Sequence, residues 1–271
     1  YPEVLRNHIR KTKNATDKPF GVNIPLLYPD TRQLMDIIVD EKVTIVFTSA
    51  GNPATWTSFL KDHGIIVAHV IANSKFAKKA EDAGVDAIVA EGFEAGGHNG
   101  REETTTLVLI PHIRKVTAIP LIAAGGIATG RGMLAAICLG ADGVQIGSRF
   151  AVSVESSAHI NFKNLVVQAG EGATRLSFKK LAPVRLLKNK FADEVDKAES
   201  EGRSTEFLKE LLGHRRAKIG MFEGDLEEGE LEIGQVSALI NEIKPVDEII
   251  SEIIAEFQAA RMEMNSKACD F

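Results

Sequence analysis

Short apolar runs rich in β-branched residues recur along the first half of the chain, at 20–24, 43–48, 65–71, 85–90, 120–124 and 143–147. Continuous apolar character over so few residues predicts strands buried on both faces. Between them, stretches 31–41, 53–63, 74–83, 104–116 and 129–139 have the length and one-sided apolar pattern of helices. Pro53, Ser74 and Thr129 stand where a helix needs an N-cap or first-turn residue, and Gly84 and Gly140 where it needs a stop. Strict alternation of strand and helix predicts a parallel sheet. An open doubly wound sheet and a closed barrel share that pattern. The regular strand spacing, and the glycine or polar residue at nearly every strand C-terminus, favour a TIM-type (β/α)8 barrel, which builds its site there. Six strands are found where a barrel has eight, so either two units are missing from the start of this chain or the sheet is open.

The alternation stops near residue 150. Residues 1–152 are therefore expected to form the barrel and 153–245 a small, mostly helical cap or substrate region. Residues 246–271, amphipathic from 246 to 262, are expected to supply a C-terminal helix on the barrel. The cap region carries a basic cluster (Lys179, Lys180, Arg185, Lys188, Lys190) and an acidic, turn-rich stretch at 223–230. The cluster reads either as a basic rim for an anionic partner or as a solvated helix face.

Composition narrows the classes. Of 271 residues, 44% are hydrophobic and 25% charged, as in ordinary globular proteins. A net charge of −5 and a pI near 5.9 argue against a nucleic-acid binder. No apolar run approaches the roughly 20 residues of a membrane helix. The two cysteines, Cys138 and Cys269, are far apart without ligand spacing, so neither a disulfide framework nor a metal site is expected, and the cytoplasm is the default location.

Three features carry chemistry. Gly125-Gly126 follows one strand and precedes a helix near Thr129, and Gly147-Ser148 follows the next strand, 22 residues after Gly125. Glycine allows close backbone approach, and a helix N-terminus offers unpaired N–H groups, so the two turns predict a phosphate cradle. The third is Glu91-Gly-Phe-Glu-Ala-Gly-Gly-His98, a glycine loop with carboxylates and an imidazole at a strand end. Histidine is suited to proton exchange near neutral pH, which makes His98 the candidate catalyst. The other histidines fall on helices or mid-strand and are expected to be structural. Cys138 falls inside a helix, which argues against an IMP-dehydrogenase-like reading that needs a reactive loop cysteine.

The segments 90–98, Ala123-Ala-Gly-Gly-Ile127 and Gly143-Val-Gln-Ile-Gly-Ser-Arg-Phe150 resemble the superfamily of nitronate monooxygenases and FMN-dependent enoyl-acyl-carrier-protein reductases of the FabK type. Phe20-Gly-Val-Asn-Ile24 is similar to that family's third strand, and Pro183-Val-Arg, Gly224-Asp225 and Gly234-Gln235 continue the likeness. The resemblance implies FMN contacts at Asn23, Glu91, Gly96, Gly97, Gly125, Gly126, Gly147 and Ser148, the last four at the phosphate, with His98 as the active-site histidine. It implies that roughly 40–50 family residues precede this chain's first strand. It further implies NADH or NADPH as electron donor, an acyl carrier protein or CoA thioester as substrate, and a homodimer. The C-terminal match leans toward the reductase, where a monovalent cation often supports activity, though no residue here marks a cation site. The alternative is oxidation of alkyl nitronates by O₂.

Overall fold

The computed structural model describes residues 2–266, so Cys269 lies outside the described residues. The chain divides into two compact units, one holding residues up to 90 with 112–122, the other 91–111 with 123 onward.

The first unit opens with α1 (Pro2–Ala15) and then alternates β1 (Gly21–Pro25), α2 (Thr31–Asp40), β2 (Ile45–Ser49), α3 (Thr57–Asp62), β3 (Ile66–Ile71), α4 (Ser74–Asp82) and β4 (Ala87–Glu91). Each strand pairs in parallel with the next, Gly21 beside Ile45, Ile45 beside Ile66 and Ala68 beside Ala87. The expected helix at 53–63 is broken: Asn52 caps a short 3-10 turn at Pro53–Thr55, and α3 starts anew after Trp56. Asn73 takes the Phe76 amide and so caps α4, which puts Ser74 at the first helical position. Met35, Ile38, Val46, Leu60, Val67 and Ile88 fill the core. His69 of β3 is buried there, 2.7 Å from the Thr48 hydroxyl, and burial holds its pKa down at about 4. It is a neutral, satisfied core residue.

The second unit contains β5 (Gly97–His98), β7 (Gly143–Gln145) and α6 (Gly130–Cys138), while the boundary between the units runs through α5 (Thr106–Arg114), β6 (Leu121–Ala124) and, at its last residue Glu91, β4. Six strands bond in the order β1-β2-β3-β4-β6-β7, each beside its successor, which is the order of consecutive βα units. Beyond them come α7 (Ser148–Ala151), α8 (Ile160–Val167), β8 (Thr174–Ser177), β9 (Val184–Leu187), α9 (Lys190–Ser200), α10 (Thr205–Leu212) and α11 (Val246–Ser266). Residues 153–245 are thus less uniformly helical than the sequence suggests. β9 is the middle strand of an antiparallel sheet β5-β9-β8. Its alternate residues serve two clusters: Val184 and Leu186 join Phe178, Phe191 and Leu208, while Leu187 joins Phe162, Leu231 and Ile233. A strand buried on both faces has no polar alternation to betray it. Among the described residues no helix is long and apolar enough to cross a membrane.

Candidate functional site

The glycine loop leaves β4 with Gly92 N–H donating to Ala124 O (2.9 Å) and Phe93 N–H to Thr104 O (3.0 Å). Glu94 then turns back, and its carboxylate accepts from the Thr106 amide and hydroxyl at 3.0 Å. That carboxylate closes the N-terminus of α5, where negative charge is favoured by the helix dipole. A Cβ on Gly92 would lie 2.0 Å from the Thr106 hydroxyl, so glycine is required for this return.

Gly96 and Gly97 run against a distant part of the chain. A Cβ on Gly96 would meet the Ile233 carbonyl carbon at 2.4 Å and Gly234 N at 2.5 Å. Gln235 N–H donates to Glu94 O (2.9 Å), and Gly234 N–H donates to the Ser148 hydroxyl (2.9 Å). The loop is held from its other side by Arg185 of β9. The guanidinium is buried, donates through Nε and Nη2 to Phe93 O at 3.0 and 2.8 Å, and stacks 4.6 Å from the Phe93 ring centroid. Asn99 Nδ2 donates to Ala95 O and Gly97 O, both at 2.9 Å, and fixes the turn that carries His98.

These contacts enclose a cavity of about 260 Å³. Glu91, Gly96, Gly125, Gly126, Gly147 and Ser148, all expected from the sequence, line it, together with Glu94 and Glu232. Burial pushes Glu91 up to about 7 and Glu230 to about 7, the latter helped by the nearby Glu232. Burial also raises Glu232, against the opposing pull of His98. Among the described residues the lining contains no lysine, arginine or histidine. Gly97 and His98 lie beside the cavity rather than in its wall: Gly97 is buried, and His98 is exposed on β5 opposite Val184. Asn23 is exposed on β1, in the first unit.

The residues present fit an FMN phosphate, though not through the helix end the sequence suggested. The start of α6 is already satisfied, since Thr129 accepts from Gly132 N–H (3.1 Å) and Glu256 of α11 accepts from Gly130 N–H (2.8 Å). Gly125 and Gly126 both have positive φ, +83° and +70°, so the chain here turns through conformations open to glycine. Gly147 has nothing within 4 Å of the place a Cβ would take. That open space beside the Ser148 hydroxyl is where a bulky anion has room, and a Glu91 carboxyl that keeps its proton does not repel it.

The basic run at 179–190 is not one surface. Arg185 is buried, Lys179 pairs with Glu103 at 2.5 Å, Lys180 donates to Arg203 O and Lys190 pairs with Glu228. The sequence reading missed Glu232 and Arg185 as site residues. Glu232 stands between two buried apolar residues, Leu231 and Ile233, just before Gly234-Gln235, and a carboxylate in that setting is the signal that was available.

Comparison with known proteins supplies the remaining context. Residues 29–256 match the model of a family described as nitronate monooxygenase. The fold is similar to that of FabK from Thermotoga maritima, with a TM-score of 0.93 and 42% identity over 98% of this chain and 84% of that one. The chain is 30% identical to a (3aS,4S,5R,7aS)-5-hydroxy-7a-methyl-1-oxo-octahydro-1H-indene-4-carboxyl-CoA dehydrogenase of Mycobacterium tuberculosis, over 92% of this chain and 81% of that protein. It is 34% identical to a probable nitronate monooxygenase of Staphylococcus aureus, over 81% of this chain and 64% of that protein.

Proposed function

The chain belongs to the nitronate monooxygenase family, whose members are FMN-dependent oxidoreductases, and we propose that within it this protein reduces 2-enoyl thioesters. The observation that carries this reading is the charge of the cavity. Its wall holds carboxyl groups, Glu91 and Glu232, whose ionisation burial disfavours, Glu91 being pushed up to about 7, and, among the described residues, no cationic side chain. Reduction of an enoyl thioester ends with delivery of a proton to the α-carbon, which calls for a buried acid. Oxidation of an alkyl nitronate, which arrives already deprotonated, calls for no such acid. The similarity to FabK over nearly the whole chain, and to a dehydrogenase named for a carboxyl-CoA compound, supports the same reading.

FMN, when bound, supplies the hydride for the β-carbon and is itself recharged by NADH or NADPH. Gly125, Gly126, Gly147 and Ser148 would hold its phosphate, and the Glu91 carboxyl, whose ionisation burial disfavours, would face it from the same wall. Glu94 keeps α5 in place, and Arg185 fixes the loop that closes the cavity. An acyl carrier protein or coenzyme A carries the substrate, and a homodimer is the assembly the family resemblance implies.

The alternative is nitronate oxidation by O₂, favoured by the family description and by the staphylococcal relative. Purified yellow protein given NADH and crotonyl-CoA should consume NADH in proportion to the thioester. Oxygen uptake with propionate nitronate alone, without thioester-dependent NADH loss, would replace the reductase with the monooxygenase.

A further inference from the structure

We propose that Glu232, rather than His98, hands the proton to the substrate α-carbon, and that His98 recharges Glu232 from solvent. The inference rests on the reductase reading and assigns the proton path within it.

Placement is the first argument. Glu232 lines the cavity, whereas His98 is exposed on β5 and outside its lining. The two are nonetheless neighbours through Gly97. One carboxyl oxygen of Glu232 lies 2.8 Å from the point a Cβ on Gly97 would occupy, and Gly97 has φ +74°, so this residue must be glycine for the carboxyl to sit there. The carboxyl thus occupies the space of a missing side chain, directly beside the residue that bears the imidazole.

Rigidity is the second. The Glu232 backbone forms an antiparallel bridge with Leu186, and Leu187 N–H donates to Leu231 O at 2.8 Å. Leu231 and Ile233 on either side are buried in the adjoining cluster. Among the described residues no hydrogen bond holds the carboxyl oxygens, which leaves them to a ligand.

Electrostatics is the third. Burial disfavours the charged carboxylate, and the His98 imidazole acts in the opposite sense. Around Glu232 stand Glu230 on its own segment, Glu91 and Glu94 in the cavity wall, His98 on β5, and Arg185 on β9, whose guanidinium is turned to Phe93 O. With other carboxyls on its remaining sides, Glu232 has the His98 imidazole as its proton-exchange partner. Of the other cavity carboxyls, Glu94 is held by Thr106, and Glu91 has no such partner toward solvent among the described residues.

The step balances as follows. Hydride from the reduced flavin adds to the β-carbon and leaves an enolate. The enolate's electron pair forms the new α-C–H bond as the Glu232 O–H bond breaks, and the carboxylate then takes back a proton through the His98 imidazole, which draws it from water.

The test uses the flavin-loaded protein and three variants, Glu232→Gln, Glu232→Asp and His98→Gln, each checked for flavin content. NMR titration of the Glu232 carboxyl carbon should move up in His98→Gln, because the imidazole favours the ionised carboxylate and a glutamine does not. In single-turnover reduction of crotonyl-CoA in D₂O, the wild type should place deuterium on one face of C2. Glu232→Gln should slow that step by about 100-fold or more and lose facial selectivity, while Glu232→Asp recovers at least part of both. A Glu232 titration that does not move in His98→Gln, or an unchanged rate and face of deuteration in Glu232→Gln, overturns the proposal. A wild type inert toward crotonyl-CoA instead removes the reductase reading. The Glu232 titration needs no substrate and still reports whether the two groups are coupled, so the two failures are distinguishable.

Discussion

Replacing Glu91 by glutamine should stabilise the protein in a strongly pH-dependent way. The Glu91 carboxyl sits in the cavity wall, where burial raises its pKa from 4.5 to about 7. A carboxyl with a raised folded pKa binds its proton more tightly in the folded state. Its contribution is therefore undiminished below pH 4.5 and is lost as pH climbs to 7, because the unfolded chain ionises first. At ~1.4 kcal/mol per pH unit, the wild type forfeits roughly 3 kcal/mol by pH 8. Glutamine keeps the shape and the hydrogen-bonding capacity without the ionisation. Glu91→Gln should therefore be more stable than wild type by up to roughly 3 kcal/mol at pH 8, but by less than ~1 kcal/mol at pH 5. For a chain of this size that corresponds to a melting temperature roughly 6–12 °C higher at pH 8. Glu230 and Glu232 are shifted the same way, so both proteins lose stability as pH rises. The difference between them isolates Glu91. Thermal melts of the two flavin-free proteins at pH 5 and pH 8 decide the matter: equal melting temperatures at pH 8 would refute the claim that burial at this site holds the proton.

Three other perturbations bear on the architecture. Arg185→Met should lower the melting temperature by roughly 6–12 °C, since it strips Phe93 O of charge-assisted hydrogen bonds and ends the stacking on the Phe93 ring, together about 3 kcal/mol; a shift under ~2 °C would show that the loop is held by something else. Gly96→Ala and Gly147→Ala should part company, the first driving a Cβ into the Ile233–Gly234 backbone at a cost of about 1–3 kcal/mol, the second meeting no protein atom yet weakening FMN at least ~10-fold. Melting curves and flavin-fluorescence titration read the two effects, and unimpaired FMN affinity in Gly147→Ala would move the phosphate elsewhere. Lys163→Met should cost on the order of 3 kcal/mol, because the buried ammonium donates to Ser153 O, Val154 O and Ser156 O at 2.7, 3.3 and 2.8 Å; urea unfolding with an unchanged midpoint would contradict this.

The strands were legible because each is a run of apolar residues whose neighbours in sequence are also its neighbours in the sheet. The same locality made Thr129 readable as a cap and Gly84 and Gly140 as stops, which adopt φ of +84° and +108°. Legibility failed where a partner comes from far along the chain. Arg185 reaches Phe93 across 92 positions, and nothing in a run of basic residues distinguishes the one that is buried. Glu256 fills the start of α6 from 126 positions away, so the expected free N–H groups there are spoken for. Residues 184–187 carry no alternation because both faces of β9 are buried, and the antiparallel sheet went unseen.

The glycines of the site show why a motif and a mechanism are different kinds of information. Gly92, Gly96 and Gly125 are each demanded by protein atoms, at 2.0, 2.4 and 2.5 Å from the Cβ that is missing. They would be glycine in this fold whatever reaction it ran, and so would Gly97 at φ +74°. Gly147, alone among the glycines of the loop and the two turns, faces open space on an ordinary φ of −104°, and it is the one whose identity a ligand must explain. The glycine pattern therefore identifies the scaffold and where its cavity lies, while the chemistry depends on which side chains project into that cavity. Those are carboxyls held toward the neutral form, one of them beside an exposed imidazole. A site so equipped can give up a proton inside and take one back from outside, which is what a reductase needs and what a scaffold shared with a monooxygenase does not by itself provide.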